Sequence, residues 1–301
     1  MTGLEIIELL KRNVGEITTS IGAISGSLIT AIFLRNNTSI KEFEKIKAGK
    51  FDEVVEELLS SGKMTYTEFY RAKNFLNIAK KADKYSEKKI LKDNNPYDFD
   101  WFIRFYDTVG NISNNEMQEL WAKILAGEVN NPNSFSLKTI DVLKNIGKEE
   151  AVLFESVCKS CFVYDDKAFL PYYDSYMSRK GITYSMIMYL SELGLIYNNS
   201  LLAKKIPVSN EGGAVIVNGD YLLTAKSVSD NTTLLYIKQF PLTAAGQELA
   251  TLINGIPDLD DFVTFVKDIE PNNIKLEIHK IMTIDGKQIK CEMEDLLSVK
   301  E

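Results

Sequence analysis

Cys158-Lys-Ser-Cys161 is the tightest grouping of metal-ligating, redox-capable side chains in the chain. Two thiols three residues apart on a helix fall on one face, where they can share a metal ion or exchange with a disulfide. A structural zinc takes four ligands, and the sequence offers no second CxxC and no spaced pair of histidines. The single histidine, His279, and the third cysteine, Cys291, lie far along the chain. Cys158 and Cys161 are therefore read as small buried apolar groups on a core helix, and they stand as the metal candidates. No cofactor is expected, because neither a GxxxxGK[ST] loop nor a strand-borne GxGxxG occurs. Adjacent aspartates at 165–166 and 260–261 point apart, so they read as caps or solvated turns and not as a two-metal site. Glu116, Glu119 and Glu128 share one helix, but Glu116 is accounted for as a cap. No catalytic residue is assigned, and an enzyme assembled from residues distant in sequence ranks last.

Charge forms the second concentration. Residues 71–92 hold eight basic side chains against two acidic ones. Arg71, Lys73, Lys80, Lys81, Lys84 and Lys88 are the candidate polyanion-binding residues, for nucleic acid or anionic lipid. The competing and favoured reading is a solvated helix face answered by acidic charge elsewhere. The whole chain has 35 Lys+Arg against 42 Asp+Glu, a net of −7, which argues against bulk attraction to nucleic acid. Residues 1–100 carry 16 basic against 15 acidic side chains and the remainder 19 against 27, so a polyanion would meet the N-terminal third.

A third feature has no charge at all. Ile17 to Leu34 is an eighteen-residue uncharged run in which Ile17, Ile21, Ile24, Leu28 and Ile32 share a face and Gly22 and Gly26 form a small-xxx-small pair. Ile21, Gly22, Gly26, Ile29 and Phe33 are the candidate residues for self-association or membrane contact. Thr18, Thr19, Ser20, Ser25, Ser27 and Thr30 dilute the hydrophobicity. Close packing against another helix, reversible membrane association and a true span all stay open.

These residues need elements to position them. Thr65 with Glu68 forms a capping box that opens a long helix toward Lys92, and Asp98 or Asp100 caps the next, which carries Trp101, Phe102, Phe105 and Tyr106. Those four aromatics read as core. Ser113 with Glu116 predicts a second capping box, followed by an apolar stripe of Met117, Leu120, Trp121, Ile124 and Leu125, with Gly127 as the left-handed stop and Pro132 beyond it. Ser136 caps Leu137 to Ile146, and Lys148 to Phe162 is the next expected helix.

The run Trp101 to Tyr106, the run Glu116 to Glu128 and the run Pro132 to Thr139 together resemble the signature of a bacterial and prophage family known only as domain of unknown function 2806. The likeness extends from Arg71 to about Ile253 and is densest between Trp101 and Ala151. Pro132-Asn133 stands where such families usually have Pro-Gly. The resemblance implies a helical core and a mobile-element or phage-conflict setting, and it brings no active site.

Further on, Thr183 to Leu195 reads as a helix. Val215 to Val217 and Tyr221 to Ala225 flank the hairpin signal Asn218-Gly219, Leu234 to Phe240 is a strand, and Thr243 caps a helix in LTAAGQEL. Helix, LGLI, hairpin, LTAAGQEL resembles a winged-helix domain. The helix from Thr183 offers no Arg, Lys, Asn or Gln to reach base edges, and only Arg179-Lys180 stand near phosphate reach, so the unit is read as a protein-contact module. Leu259 to Val266 is a helix, and Ile274 to Met282 with Gln288 to Glu292 is a terminal hairpin.

The expected fold is therefore mainly α with a smaller α+β part: a helical bundle, then a winged-helix-like domain, then a C-terminal hairpin. The expected domains are 1–62, 63–165, 166–255 and 256–301. The expected function is a helical interaction or scaffold protein, of phage or phage-defence context, that self-associates or touches membrane through its N-terminal helix. The alternative is a nucleic-acid-binding regulator using residues 71–92. Expected partners are a second copy or another protein, with a membrane surface or nucleic acid behind them. An odd cysteine count and the lack of a basic n-region before an apolar run place the chain in the cytoplasm, or at the periphery of the inner membrane.

Overall fold

The computed structural model describes residues 59–62, 65–85, 98–199, 202–211, 213–253, 255, 258–269, 271–285, 288–292 and 295–296, and the statements below concern these. Residues 17–34, with the expected contact residues Ile21, Gly22, Gly26, Ile29 and Phe33, lie outside them, as does Lys88. The chain divides into two compact units, Met1–Lys144 and Asn145–Glu301, taken separately here.

The first unit contains α1 (Tyr66–Ala82), α2 (Phe99–Val109), α3 (Asn115–Asn130) and α4 (Leu137–Leu143). Each begins where a short polar side chain can take a backbone N–H that has no partner within the helix. Glu68 N–H donates to Thr65 Oγ1 at 3.2 Å and Thr65 N–H donates to Glu68 Oε2 at 2.8 Å, the expected capping box. Asp98 caps α2 by accepting from Asp100 and Trp101 at 3.0 and 3.1 Å. The central helix α3 departs from expectation at both ends. Its cap is Asn114, whose Oδ1 accepts from Glu116 and Met117, both at 3.0 Å, instead of Ser113. Gly127 does not stop the helix, which runs on to Asn130. A Cβ on Gly127 would lie 2.7 Å from Phe135 Cε2, so glycine there admits the returning chain against the helix backbone. Trp101 stacks on Phe105 with ring centroids 5.0 Å apart, and Trp121 meets Phe105 edge-on at 5.6 Å. These rings, with Phe102 and Tyr106, are buried core as the sequence predicts.

The second unit holds α5 (Lys148–Cys158), β1 (Phe162–Tyr164), β2 (Lys167–Pro171), α6 (Asp174–Arg179), α7 (Tyr184–Glu192), β3 (Ala203–Val208), β4 (Ala214–Asn218), β5 (Tyr221–Ser227), β6 (Thr233–Pro241), α8 (Ala244–Ala250), α9 (Leu259–Ile269), β7 (Ile274–Asp285) and β8 (Gln288–Cys291). The strands form one eight-stranded sheet in the order β3-β6-β2-β1-β4-β5-β7-β8, every pair antiparallel. The fold is therefore α+β, and the expectation of a mainly α chain with a helical bundle and a winged-helix-like domain is overturned. β1, β2 and β3 were not expected, and they join the strands that were. β7 pairs with β5 from Tyr221↔Lys280 to Ser227↔Ile274, so the terminal hairpin is the margin of the main sheet.

Local chemistry explains the sheet. Asp165 and Asp166, at φ 52° and 57°, make the two-residue left-handed turn whose twist suits a hairpin, and they join β1 to β2. The sheet curls, because Ser227 N–H at the end of β5 donates to Ser209 O just past β3 at 3.2 Å, although those strands are far apart in the order. α9 covers the inner face, with Phe262 and Phe265 centred 4.7 and 4.4 Å from the Phe162 ring. The LGLI and LTAAGQEL segments lock together. Thr243 caps α8, its Oγ1 donates to Gly194 O at 2.7 Å, and its N–H donates to Leu195 O at 3.1 Å. The motif that resembles a winged helix is thus a packing joint within the sheet unit.

Candidate functional site

α1 sorts its side chains into three groups by helical period. Ala72, Phe75, Ile78, Ala79 and Ala82 are buried, and α1 packs on α2 and α3. Flanking them are polar groups spent on holding the helix down. Asn74 Nδ2 donates to Gly110 O at 2.8 Å, and Arg71 Nη2 donates to Asp107 O at 2.9 Å. Lys81 Nζ donates to Asn115 O, Asn115 Oδ1 and Gln118 Oε1 at 3.1, 2.7 and 3.1 Å.

Tyr66, Tyr70, Lys73, Asn77 and Lys80 follow one another by alternating steps of four and three residues, which keeps them on one face of α1, and Lys84 lies in the turn just past its end. Tyr66 is 76% exposed and Tyr70 is 61% exposed, Lys73, Lys80 and Lys84 are exposed, and Asn77 is half-buried. Lys84 stands 3.9 Å from Glu119, a surface pair that screening weakens. Of the six basic candidates, Arg71 and Lys81 are therefore docked inward and Lys73, Lys80 and Lys84 face outward. The tyrosines were not among the sequence candidates, although their spacing from Lys73 was the signal that could have found them. Such a face can meet phosphates with its ammonium groups and flat rings with its phenols.

The other candidates separate. α5 ends at Cys158 and Cys161 stands in the turn before β1, so the two do not share a helix. Cys161 Sγ donates to Val157 O at 3.5 Å, Tyr176 OH donates to Ser160 O at 2.8 Å, and Asn218 Nδ2 donates to Cys161 O at 2.9 Å. Burial, and then the Cys161 thiol beside it, push the Cys158 thiol above its ordinary range. Among the described residues no group of three or more His, Cys, Asp or Glu is placed to hold a metal.

The three glutamates of α3 do not converge. Glu119 accepts from Tyr85 OH at 2.5 Å, while Glu128 is buried and accepts from the N–H groups of Asn133 and Phe135 at 2.7 and 3.0 Å. Asp261 is also buried and not solvated as expected, because Arg179 Nε and Lys180 Nζ reach it at 2.8 and 2.5 Å. Lys204 lies 5.1 Å from the Tyr164 ring centre and 5.3 Å from that of Phe169, and burial lowers its amine. Its edge strand β3 also carries Lys205 and Pro207, residues that discourage strand addition.

The fold and this surface define a two-unit α+β protein whose first unit presents a cationic and aromatic helix face. The chain belongs to the family described as Protein of unknown function (DUF2806), which it matches over residues 61–267. That stretch takes in all of α1 to α8 and β1 to β6, reaches into α9, and stops short of β7 and β8. No curated protein and no solved structure matches the chain. Among the described residues no helix is long and apolar enough to cross a membrane.

Proposed function

We propose that this chain is a binding protein that engages a polyanion through the outward face of α1. The observation that supports the reading is the sorting of the cations: Arg71 and Lys81 are used to seat the helix, while Lys73 and Lys80 line its exposed face and Lys84 is exposed in the turn just past its end. The test is binding of the full-length chain to a labelled DNA duplex across a salt series. Three phosphate contacts at a slope of about −0.9 each weaken binding roughly 40-fold between about 50 and 200 mM salt. The triple change Lys73→Glu, Lys80→Glu, Lys84→Glu abolishes binding. Binding that ignores salt, or survives the triple change, removes the reading.

Self-association or membrane contact through residues 17–34, the basis of an interaction or scaffold role, is a second reading. It is carried by the uncharged run with Gly22 and Gly26 four residues apart. Deleting residues 1–36 then converts an oligomeric or lipid-floating species into a monomer that stays with the soluble fraction. If both versions behave alike, this second reading is wrong.

A further inference from the structure

We infer that the occupant of the outward α1 face is single-stranded nucleic acid, with unpaired bases stacked on Tyr66 and Tyr70 and the backbone running along Lys73, Lys80 and Lys84. The inference rests on the polyanion reading above and adds the class of ligand. Lysines alone recognise any polyanion. What selects among polyanions here is the pair of phenol rings at one end of the lysine row.

Both rings are largely in solvent, at 76% and 61% exposure. Tyr66 and Tyr70 are one helical turn apart, about 6 Å along the axis, and Lys73 begins on the next turn. From Tyr66 to Lys80 the face runs about 21 Å, and Lys84 follows in the turn after the helix. Rings and ammonium groups thus lie in a single file that a strand can follow.

Duplex bases already stack on one another and show only their edges. An unpaired base has an open face for an aromatic ring, and a stack of this kind tolerates any base. Heparin and lipid headgroups have charge and no such flat face. Charge complementarity therefore admits several partners, and the tyrosines favour one of them.

Acidic groups near the face, Glu68, Asp83 and Glu119, limit affinity. Lys84 must exchange Glu119, at 3.9 Å, for a phosphate. That exchange costs little at an exposed site.

The experiment uses the full-length chain and fluorescence anisotropy with a mixed-sequence single-stranded DNA of about 20 nucleotides, its duplex, and heparin as competitor. The expected result is a preference for the single strand, weakening roughly 20-fold between about 50 and 200 mM salt for three contacts at a slope of about −0.7 each. Tyr66→Ala and Tyr70→Ala each cost about 5-fold or more on the single strand and nothing on the duplex. Tyr→Phe at either site restores binding, because the ring face and not the hydroxyl stacks. Equal affinity for single strand, duplex and heparin, unchanged by the tyrosine variants, overturns the single-strand inference and leaves the polyanion reading in place. Binding that survives the triple lysine change, or no binding of any probe at low salt, overturns both. Circular dichroism of each variant confirms that these exposed substitutions leave the fold intact.

Discussion

Gln247 binds Ala168 through both ends of its amide: Ala168 N–H donates to Oε1 at 2.8 Å and Nε2 donates to Ala168 O at 2.6 Å. β6 pairs with β2 only from Phe169 to Pro171, so Ala168 has no strand neighbour on that side. The side chain of α8 supplies the two hydrogen bonds that a longer β6 would have made. Gln247→Leu leaves both backbone groups unanswered in a half-buried site and costs about 1–3 kcal/mol in urea unfolding. Next to it, a Cβ at Gly246 would lie 2.0 Å from Leu195 O, a backbone atom that cannot swing aside. Gly246→Ala is therefore the more damaging change, at about 3 kcal/mol or more. A Gly246→Ala chain as stable as the parent would mean that α8 does not approach Leu195 this closely.

Asp261 ties the start of α9 to the end of α6. It is buried and takes Arg179 Nε and Lys180 Nζ at 2.8 and 2.5 Å, while Arg179 Nη2 reaches Asp258 at 3.2 Å. Removing one partner of a buried ion pair strands the other charge. Asp261→Ala therefore costs about 3 kcal/mol, through Lys180 above all. Arg179→Ala costs less, since that side chain is open to water. Denaturation curves in low and high salt check the ranking, and Asp261→Ala keeps its deficit in both because burial shields the pair from screening.

Local signals in the sequence were legible where neighbours carry them. Thr65, Ser136 and Thr243 cap the helices that their spacing predicts, and the expected hairpin of β4 and β5 forms, with Asn218 paired to Tyr221 and Gly219-Asp220 as its loop. β1 spans only Phe162–Tyr164, too short for a period to show, and it follows the CxxC that looks like more helix. Pro207 inside β3 argues against a strand unless that strand lies at an edge, as it does. The strand pairs that decide the fold, such as Leu170↔Phe240, join residues far apart in the chain, and no local pattern records them. The site divides in the same way. Composition marks the basic helix, but only packing against α2 and α3 separates Arg71 and Lys81 from the outward lysines.

That separation can be checked by stability. Lys81 makes three hydrogen bonds to Asn115 and Gln118, so Lys81→Ala costs about 1–2 kcal/mol. Lys73→Ala and Lys80→Ala change stability by less than about 0.5 kcal/mol, as exposed substitutions do. Thermal melts of the single variants decide the matter. If Lys81→Ala melts with the parent, the lysines of α1 are not divided between seat and surface.

The thiols differ in access. Cys158 and Cys161 are buried, and burial holds the Cys158 thiol in its unreactive protonated form, whereas Cys291 is partly exposed. Iodoacetamide on the folded chain, read by peptide mass spectrometry, labels Cys291 first, and the other two react only on unfolding. Early labelling at Cys158 or Cys161 would show the CxxC turn to be open and reactive.

Glu128 makes stability depend on pH, and the sign is opposite to that of a surface carboxylate. Burial raises its carboxyl above the ordinary 4.5, and the N–H groups of Phe135 and Asn133 pull it only part of the way back. As pH climbs past 4.5 the unfolded chain loses this proton first, so the folded state binds more protons than the unfolded one. The contribution of Glu128 is then fully present below 4.5 and falls as pH rises to the folded value. Glu128→Gln removes the ionisation and keeps one acceptor for the loop, in which Asn133 holds a left-handed φ of 69°. Parent and variant are closest in stability near pH 4, and the difference shifts in favour of the variant toward about pH 7, a drift that paired urea titrations measure. A difference that stays flat, or drifts toward the parent, would mean that the carboxylate is stabilised by its two backbone donors more than it is penalised by burial.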